Sequence, residues 1–187
     1  MEEDEAILRE VEQQKQAFGT TCRKLCGALT SEILRSHIVS HGFTVSPRDV
    51  FIRGLGAELD LMVVRPGATP TLGVVYEPSD VLAVLEVKNH GAFGPQTAEN
   101  TRHVFDRVTK VAAHVFCCYL SLLERKGYPH AVTDHALGYP AFTMFLHSGS
   151  GRREIRTSTG DWNRFLAELR RSTRGPSASS GTSHDLR

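Results

Sequence analysis

Apolar residues spaced three and four positions apart predict four helices along the chain. The first helix is predicted over residues 4–18 and the second over residues 21–41. The third and longest is predicted over residues 98–126, where the apolar repeat is strongest. A short final helix is predicted over residues 162–171, with Asp161 in position to cap its first turn.

Between and after these helices, the pattern changes to runs of β-branched and aromatic residues, which predict strands. The predicted strand segments are Phe43–Arg53, Ala57–Val64, Leu72–Tyr76, Val81–Lys88, Ala141–Leu146 and Arg152–Thr157. The order of elements is therefore helix, strands, helix and strand, with a further helix at each end. This order predicts an α/β fold in which helices flank one central mixed sheet.

The length of 187 residues is typical of a single domain. We expect an acidic N-terminal helix over residues 1–19 and the folded domain over residues 20–171. Residues 172–187 lack apolar anchors, so we expect a disordered tail there. The sequence has neither a signal peptide nor an apolar run long enough to cross a bilayer. We therefore expect a cytoplasmic protein with no membrane partner.

The net charge of +1 hides an uneven distribution of charge along the chain. Residues 1–18 carry a net charge of −4, residues 19–150 carry +1 and residues 151–187 carry +4. Because the acidic surplus lies at one end, the average does not exclude a polyanion such as nucleic acid as a partner.

The four cysteines are Cys22, Cys26, Cys117 and Cys118. Neither pair has the spacing of a zinc site with a matching second pair, so we expect buried reduced thiols. The alternative is a zinc-stabilised domain in which Cys22, Cys26 and histidines bind the ion. His37 and His41 are one helical turn apart and share a face of the second predicted helix.

Two charged residues lie at the end of an otherwise apolar predicted strand. Glu86 and Lys88 are two positions apart and therefore share one face of the predicted strand, and Asp60 lies on the preceding apolar strand. Burying charge is costly unless the charge is paired or bound to a metal, so an ion-pair cluster and a metal site are both open. A second Glu-x-Lys at residues 124–126 ends the predicted long helix, where a solvated lysine is favourable.

With this pattern, the sequence resembles the PD-(D/E)XK nuclease superfamily, and in particular its uncharacterised bacterial members. The matching residues are Asp60, Glu86, Val87 and Lys88, with Glu32 on the preceding helix. The resemblance covers residues 20–146. The sequence departs from the superfamily pattern in two respects. Leu59 precedes Asp60 where the pattern has a proline, and 25 residues separate Asp60 from Glu86.

The resemblance implies a restriction-endonuclease-like core of helix, three strands, helix and strand. It also implies a nuclease that uses Mg²⁺ or Mn²⁺ to hydrolyse phosphodiester bonds, with DNA as the expected substrate. Asp60, Glu86, Glu32 and the Val87 carbonyl would bind the metal, and Lys88 would assist the attacking water. A homodimer and a partner protein of a defence or repair system are further expectations. The alternative function is a non-catalytic nucleic-acid-binding or scaffold subunit with the same fold.

Overall fold

The computed structural model describes residues 2–18, 23–90, 95–125, 138–148 and 155–174. Its helices are α1 (Glu2–Phe18), α2 (Arg23–Ser40), α3 (Pro95–Val111) and α4 (Asp161–Thr173). Its strands are β1 (Thr44–Val45), β2 (Val50–Ile52), β3 (Glu58–Leu59), β4 (Leu61–Val64), β5 (Val75–Tyr76), β6 (Val81–His90), β7 (Phe116–Arg125), β8 (Ala141–Ser148) and β9 (Ile155–Ser158). Within these residues, no helix combines the length and the apolar character that a membrane span needs.

Six strands form the central sheet in the order β1-β4-β6-β7-β8-β9. β1, β4 and β6 pair antiparallel, β6, β7 and β8 run parallel, and β9 pairs antiparallel at the edge. The other three strands form a small accessory sheet in the order β3-β2-β5. When the three accessory strands are left out, the chain order is helix α2, strands β1, β4 and β6, helix α3 and strand β7. This arrangement confirms the predicted α/β class and the restriction-endonuclease-like core.

The strands of the central sheet send alternate side chains into two apolar layers. One layer packs against α1, α2 and α4 and includes Leu61 and Leu85. The other packs against α3 and the accessory sheet and includes Met62 and Val84. Because β4 and β6 are buried on both faces, they are nearly continuous apolar runs. A charged residue in such a strand needs a partner or a function.

The prediction of one long helix over residues 98–126 is wrong in its second half. α3 ends at Val111, and after a short connection the chain forms β7 in the middle of the sheet. A central parallel strand is apolar on both faces, so its residues fit a helical period as well as a strand period. Cys117 and Cys118 lie in opposite layers of the core, and burial raises the pKa of Cys117 to about 12.

The final helix differs from its prediction in the role of Asp161. Gly160, with a φ of 74°, caps α4, and Asp161 is the first helical residue. The Asp161 Oδ2 atom accepts a hydrogen bond from the backbone N–H of Thr143 (2.7 Å), so this carboxylate ties α4 to β8. Of the tail expected over residues 172–187, residues 172 and 173 belong to α4, and residues 175–187 lie outside the described residues.

The acidic helix α1 packs its apolar stripe onto the central sheet. Ile7 and Val11 are buried in the same layer as Leu85. Four of its acidic residues contact α2, the residue that follows it, or β9: Glu10 with His37, Glu3 with His41, Asp4 with Ser158, and Glu12 with Arg156. The helix therefore contributes to the core, and much of its negative charge has a partner within the chain.

Replacing Ile7 with Ala should lower the free energy of unfolding by about 2–4 kcal/mol, because it removes a fully buried side chain and leaves a cavity. Urea unfolding measures this difference. Arg9→Ala, on the exposed face of the same helix, is the matched control and should change the value by less than about 0.5 kcal/mol. An unchanged value for Ile7→Ala would indicate that α1 is a separate segment.

Candidate metal and phosphate site

Asp60 lies at the junction of the accessory sheet and the central sheet. β3 ends just before it and β4 begins just after it. β4 pairs with β6 so that Leu61 is opposite Leu85. Continuing this antiparallel register by one residue places Asp60 beside Glu86. The two carboxylates therefore meet because two buried strands bring them together.

Two contacts of Lys88 join Asp60 and Glu86, and a third contact holds Asp60 to the backbone of β6. The Oδ2 atom of Asp60 accepts a hydrogen bond from the backbone N–H of Val87 (2.8 Å). Lys88 Nζ lies 3.3 Å from the same oxygen and also donates a hydrogen bond to Glu86 Oε1. The lysine ammonium is thus held between two carboxylates near the end of β6.

The cluster is half-buried but open to solvent. The exposed fraction of the side chain is 32% for Asp60, 21% for Glu86 and 34% for Lys88. Partial burial strengthens electrostatic interactions relative to water. The remaining exposure lets an ion or a phosphate reach the carboxylates.

The two charged residues of β6 respond differently to this environment. Burial raises the pKa of Glu86, the nearby Asp60 carboxylate raises it further, and Lys88 offsets only part of the increase. Burial opposes the charge of Lys88 too, but the Glu86 and Asp60 carboxylates outweigh it and raise the lysine pKa. Lys88 therefore stays protonated. Glu86 is a carboxylate whose negative charge an added cation would stabilise.

α3 and β7 form the surface beneath Glu86. Tyr119 is its neighbour in the β6–β7 register, and the buried Tyr119 hydroxyl donates a hydrogen bond to the Ala98 carbonyl (3.1 Å). Burial, together with the charge of Glu86, raises the pKa of Tyr119, so the phenol stays neutral. The buried Thr101 hydroxyl interacts with the Glu86 carboxylate. Sequence reasoning missed Tyr119 because it assigned this residue to the long helix, whereas it lies on β7.

Asp60 and Glu86 offer the oxygen ligands that Mg²⁺ and Mn²⁺ prefer. The Oδ1 atom of Asp60 accepts no hydrogen bond from the described residues, because both contacts of this carboxylate involve Oδ2. No group of three or more His, Cys, Asp or Glu side chains suited to a metal occurs in the described part of the chain. Mg²⁺ is commonly held by one or two carboxylates and several waters, so this pair fits one ion.

Glu32 is not in hydrogen-bond contact with this cluster. It lies on α2 and is exposed, and both of its carboxylate oxygens accept a hydrogen bond from Arg35 Nε (2.9 Å). This hydrogen bonding to Arg35 lowers the pKa of Glu32, and the charge of Arg48 contributes. To bind an ion, the Glu32 carboxylate would have to leave Arg35.

The remaining candidates from the sequence have other surroundings. His37 and His41 hydrogen-bond to glutamates of α1. Of the cysteines offered for zinc, Cys26 is a free thiol and Cys22 lies outside the described residues. The interpretation of the second Glu-x-Lys as a helix end is wrong, because Glu124 is buried within β7, and Lys126 lies outside the described residues.

Comparison with known proteins shows a likeness in fold. No protein-family model matches the chain, and no curated protein matches its sequence. The solved structure of NucC from P. aeruginosa ATCC27853 in its cAAA-bound form matches with a TM-score of 0.62 and 12% sequence identity. The match covers 90% of this chain and 88% of that chain.

NucC from E. coli MS115-1 is similar to the chain in both of its solved forms. The cAAA-bound form matches with a TM-score of 0.61 and 12% identity, over 90% of this chain and 87% of that chain. The apo form matches with a TM-score of 0.54 and 12% identity, over 90% of this chain and 91% of that chain. The mixed sheet flanked by helices is therefore an arrangement that the chain shares with NucC.

Proposed function

We propose that the chain is a divalent-metal-dependent nuclease that hydrolyses phosphodiester bonds of DNA. The cluster of Asp60, Glu86 and Lys88 carries this proposal. Two carboxylates and a protonated lysine meet, open to solvent, beside strands that are otherwise apolar. The restriction-endonuclease-like order of elements supports the same function.

Asp60, Glu86 and the backbone carbonyl of Val87 would hold Mg²⁺ or Mn²⁺. The N–H of Val87 fixes Asp60 Oδ2 (2.8 Å), which leaves Oδ1 to the ion. When bound, such an ion neutralises charge that develops on the phosphate and activates water for attack. Glu32 remains a proposed ligand for a second ion, which its ion pair with Arg35 must release.

Lys88 would orient the attacking water and stabilise negative charge on the phosphate. Its raised pKa supports a role as a permanent cation, because the ammonium group keeps its proton at neutral pH. The contacts with Asp60 and Glu86 hold the ammonium in place before a substrate arrives. A positioned cation of this kind costs no reorganisation during the reaction.

Incubation with nucleic acids in the presence of Mg²⁺ or Mn²⁺ tests the proposal. Supercoiled plasmid, single-stranded DNA and RNA are the substrates, and EDTA is the control. We expect nicked and linear plasmid with metal and intact plasmid with EDTA. One arm adds cAAA, because NucC has been solved with this molecule bound. Failure to cleave any of these nucleic acids, with or without cAAA, would overturn the proposal.

A second candidate function is a non-catalytic nucleic-acid-binding or scaffold subunit. The contacts of Lys88 with both carboxylates favour it, because they also suit a permanent ion-pair cluster. This function predicts a salt-sensitive shift of DNA without cleavage, unchanged by Glu86→Ala. For the nuclease, a homodimer is also expected, and the native mass of the purified protein tests it. A partner protein of a defence or repair system is also expected.

Cleavage should fall as the pH is lowered through a midpoint above the usual pKa of a glutamate. Glu86 must lose its proton to hold the ion. Because burial and Asp60 raise its pKa, protonation occurs earlier on acidification than at an exposed carboxylate. Cleavage rates from acidic to neutral pH at two Mg²⁺ concentrations measure this effect. More Mg²⁺ should move the midpoint to lower pH, because ion and proton compete. A midpoint independent of Mg²⁺ would contradict the role of Glu86.

A further inference from the structure

Lys15, near the end of α1, reaches the strand that carries the proposed site. Its Nζ atom donates a hydrogen bond to Asn89 Oδ1 (3.2 Å), and Asn89 directly follows Lys88 in β6. The two partners are 74 positions apart in the sequence. Ile7 and Val11 pack α1 onto the sheet, so the core fixes the position of this lysine.

The charge of Lys15 has no acidic partner among the described residues. Among the described residues, its polar contact is with the neutral amide of Asn89, while the paired acids of α1 contact His37, His41, β9 or Arg9. Burial lowers the pKa of Lys15, and the nearby Cys26 offsets only part of this effect. A partly buried cation is costly until an anion completes its surroundings.

Asn89 holds the amine without neutralising it. An amide oxygen accepts a hydrogen bond and carries no net charge, whereas a carboxylate in the same place would cancel the charge of Lys15. Lys15 differs in this respect from Arg35 and Arg156, because each of these arginines is paired with a glutamate. Lys15 is therefore positioned by its neighbour and still available to an anion.

We infer that Lys15 binds a backbone phosphate of the nucleic acid at the end of β6, on the opposite face of the sheet from the proposed site. This inference rests on the proposed function. Lys88 and Asn89 are consecutive in β6, about 3.8 Å apart at Cα, and their side chains point to opposite faces. The ammonium groups of Lys15 and Lys88 thus flank the end of β6 from its two sides. A phosphate contact positions nucleic acid without reading its sequence.

Binding of a DNA duplex at several salt concentrations tests the inference, with Ca²⁺ in place of Mg²⁺ to limit cleavage. Lys15→Gln should weaken binding about 3–10-fold near 0.1 M salt and reduce the slope of log K against log salt by about 0.9. In cleavage assays it should raise KM and leave kcat unchanged. Lys15→Arg should keep the wild-type slope. Arg9→Gln is the matched control, because Arg9 lies on the same helix, is exposed and pairs with Glu5.

The outcomes separate this inference from the proposed function. A folded Lys15→Gln protein that cleaves DNA and keeps the wild-type salt slope would overturn the inference and leave the nuclease proposal in place. Equal losses in Lys15→Gln and Arg9→Gln would also overturn it, because they would reflect overall charge. If Lys15→Gln lowers the unfolding temperature and leaves the salt slope of DNA binding unchanged, the contact with Asn89 stabilises the fold only. This result would also overturn the inference. A wild-type protein that neither binds nor cleaves nucleic acid would overturn both proposals.

Discussion

Replacing Glu86 with Gln should reduce the rate of DNA cleavage about 10³-fold or more. A metal ion contributes several kcal/mol of transition-state stabilisation, and each 1.36 kcal/mol changes the rate tenfold. Glutamine keeps the shape of the side chain and the hydrogen-bond acceptor that Lys88 uses, but it removes the negative charge that would hold the ion. The expected loss is therefore a loss of metal binding.

The same substitution should leave the protein folded and no less stable at neutral pH. Burial and Asp60 raise the pKa of Glu86 in the folded protein, so its ionised form is less favourable there than in the unfolded chain. The sign follows from linkage: Glu86 contributes more stability as the pH falls through its raised pKa, and less as the pH rises. A neutral glutamine removes this unfavourable ionisation. Activity and stability should thus move in opposite directions.

Single-turnover cleavage of plasmid and thermal unfolding, measured on the same preparations, check both effects. Glu58→Gln is the matched control, because Glu58 is an exposed carboxylate two positions before Asp60 and lies outside the cluster. It should keep its cleavage rate within about twofold, as expected for a surface substitution. Wild-type cleavage by Glu86→Gln would rule out the proposed role of this carboxylate.

The proposed site could be predicted from the sequence because its residues break a strong local pattern. In strands that are apolar on both faces, Asp60, Glu86 and Lys88 stand out as candidates, because each buried charge needs a partner or a metal. The structure adds what the pattern lacks. It gives the register that places Asp60 beside Glu86 and the N–H of Val87 that orients it.

The error over residues 112–125 has the same physical origin as the site prediction, because both rest on strands that are apolar on both faces. A strand buried on both faces shows no alternation, and β7 follows directly on an amphipathic helix with only a short connection between them. The sheet, and not the local sequence, decides the conformation of such a segment. The error also hid Tyr119, which lies under Glu86.

Contacts over long sequence separations were beyond prediction from one sequence. The charge pattern of α1 indicates an acidic helix, but it does not reveal that Glu10 meets His37 or that Lys15 meets Asn89. These partners are 27 and 74 positions apart, and the packing of the helix across the sheet brings them together. The position of Glu32 is a similar case, because only the structure shows its pairing with Arg35.

Replacing Lys88 with Met should reduce cleavage about 10²–10³-fold, the loss typical of removing one preorganised charge-stabilising group. Methionine has a similar length and fills similar space, but it removes the cation that would orient water and stabilise the phosphate. The loss should appear in kcat and in kcat/KM alike, because the interaction matters in the transition state. Lys110→Met, an exposed lysine at the end of α3, is the matched control and should cleave at the wild-type rate.

Lys88→Met should also make the stability of the protein depend on Mg²⁺. Without the lysine, Asp60 and Glu86 repel each other, which should cost about 1–2 kcal/mol at a site that is a third exposed. Mg²⁺ should restore the unfolding temperature of the variant by taking the place of the ammonium between the carboxylates. The wild type should gain less, because its carboxylates already have Lys88. A variant that is destabilised and does not respond to Mg²⁺ would show that the carboxylates hold no ion, which favours a permanent ion-pair cluster over a nuclease site.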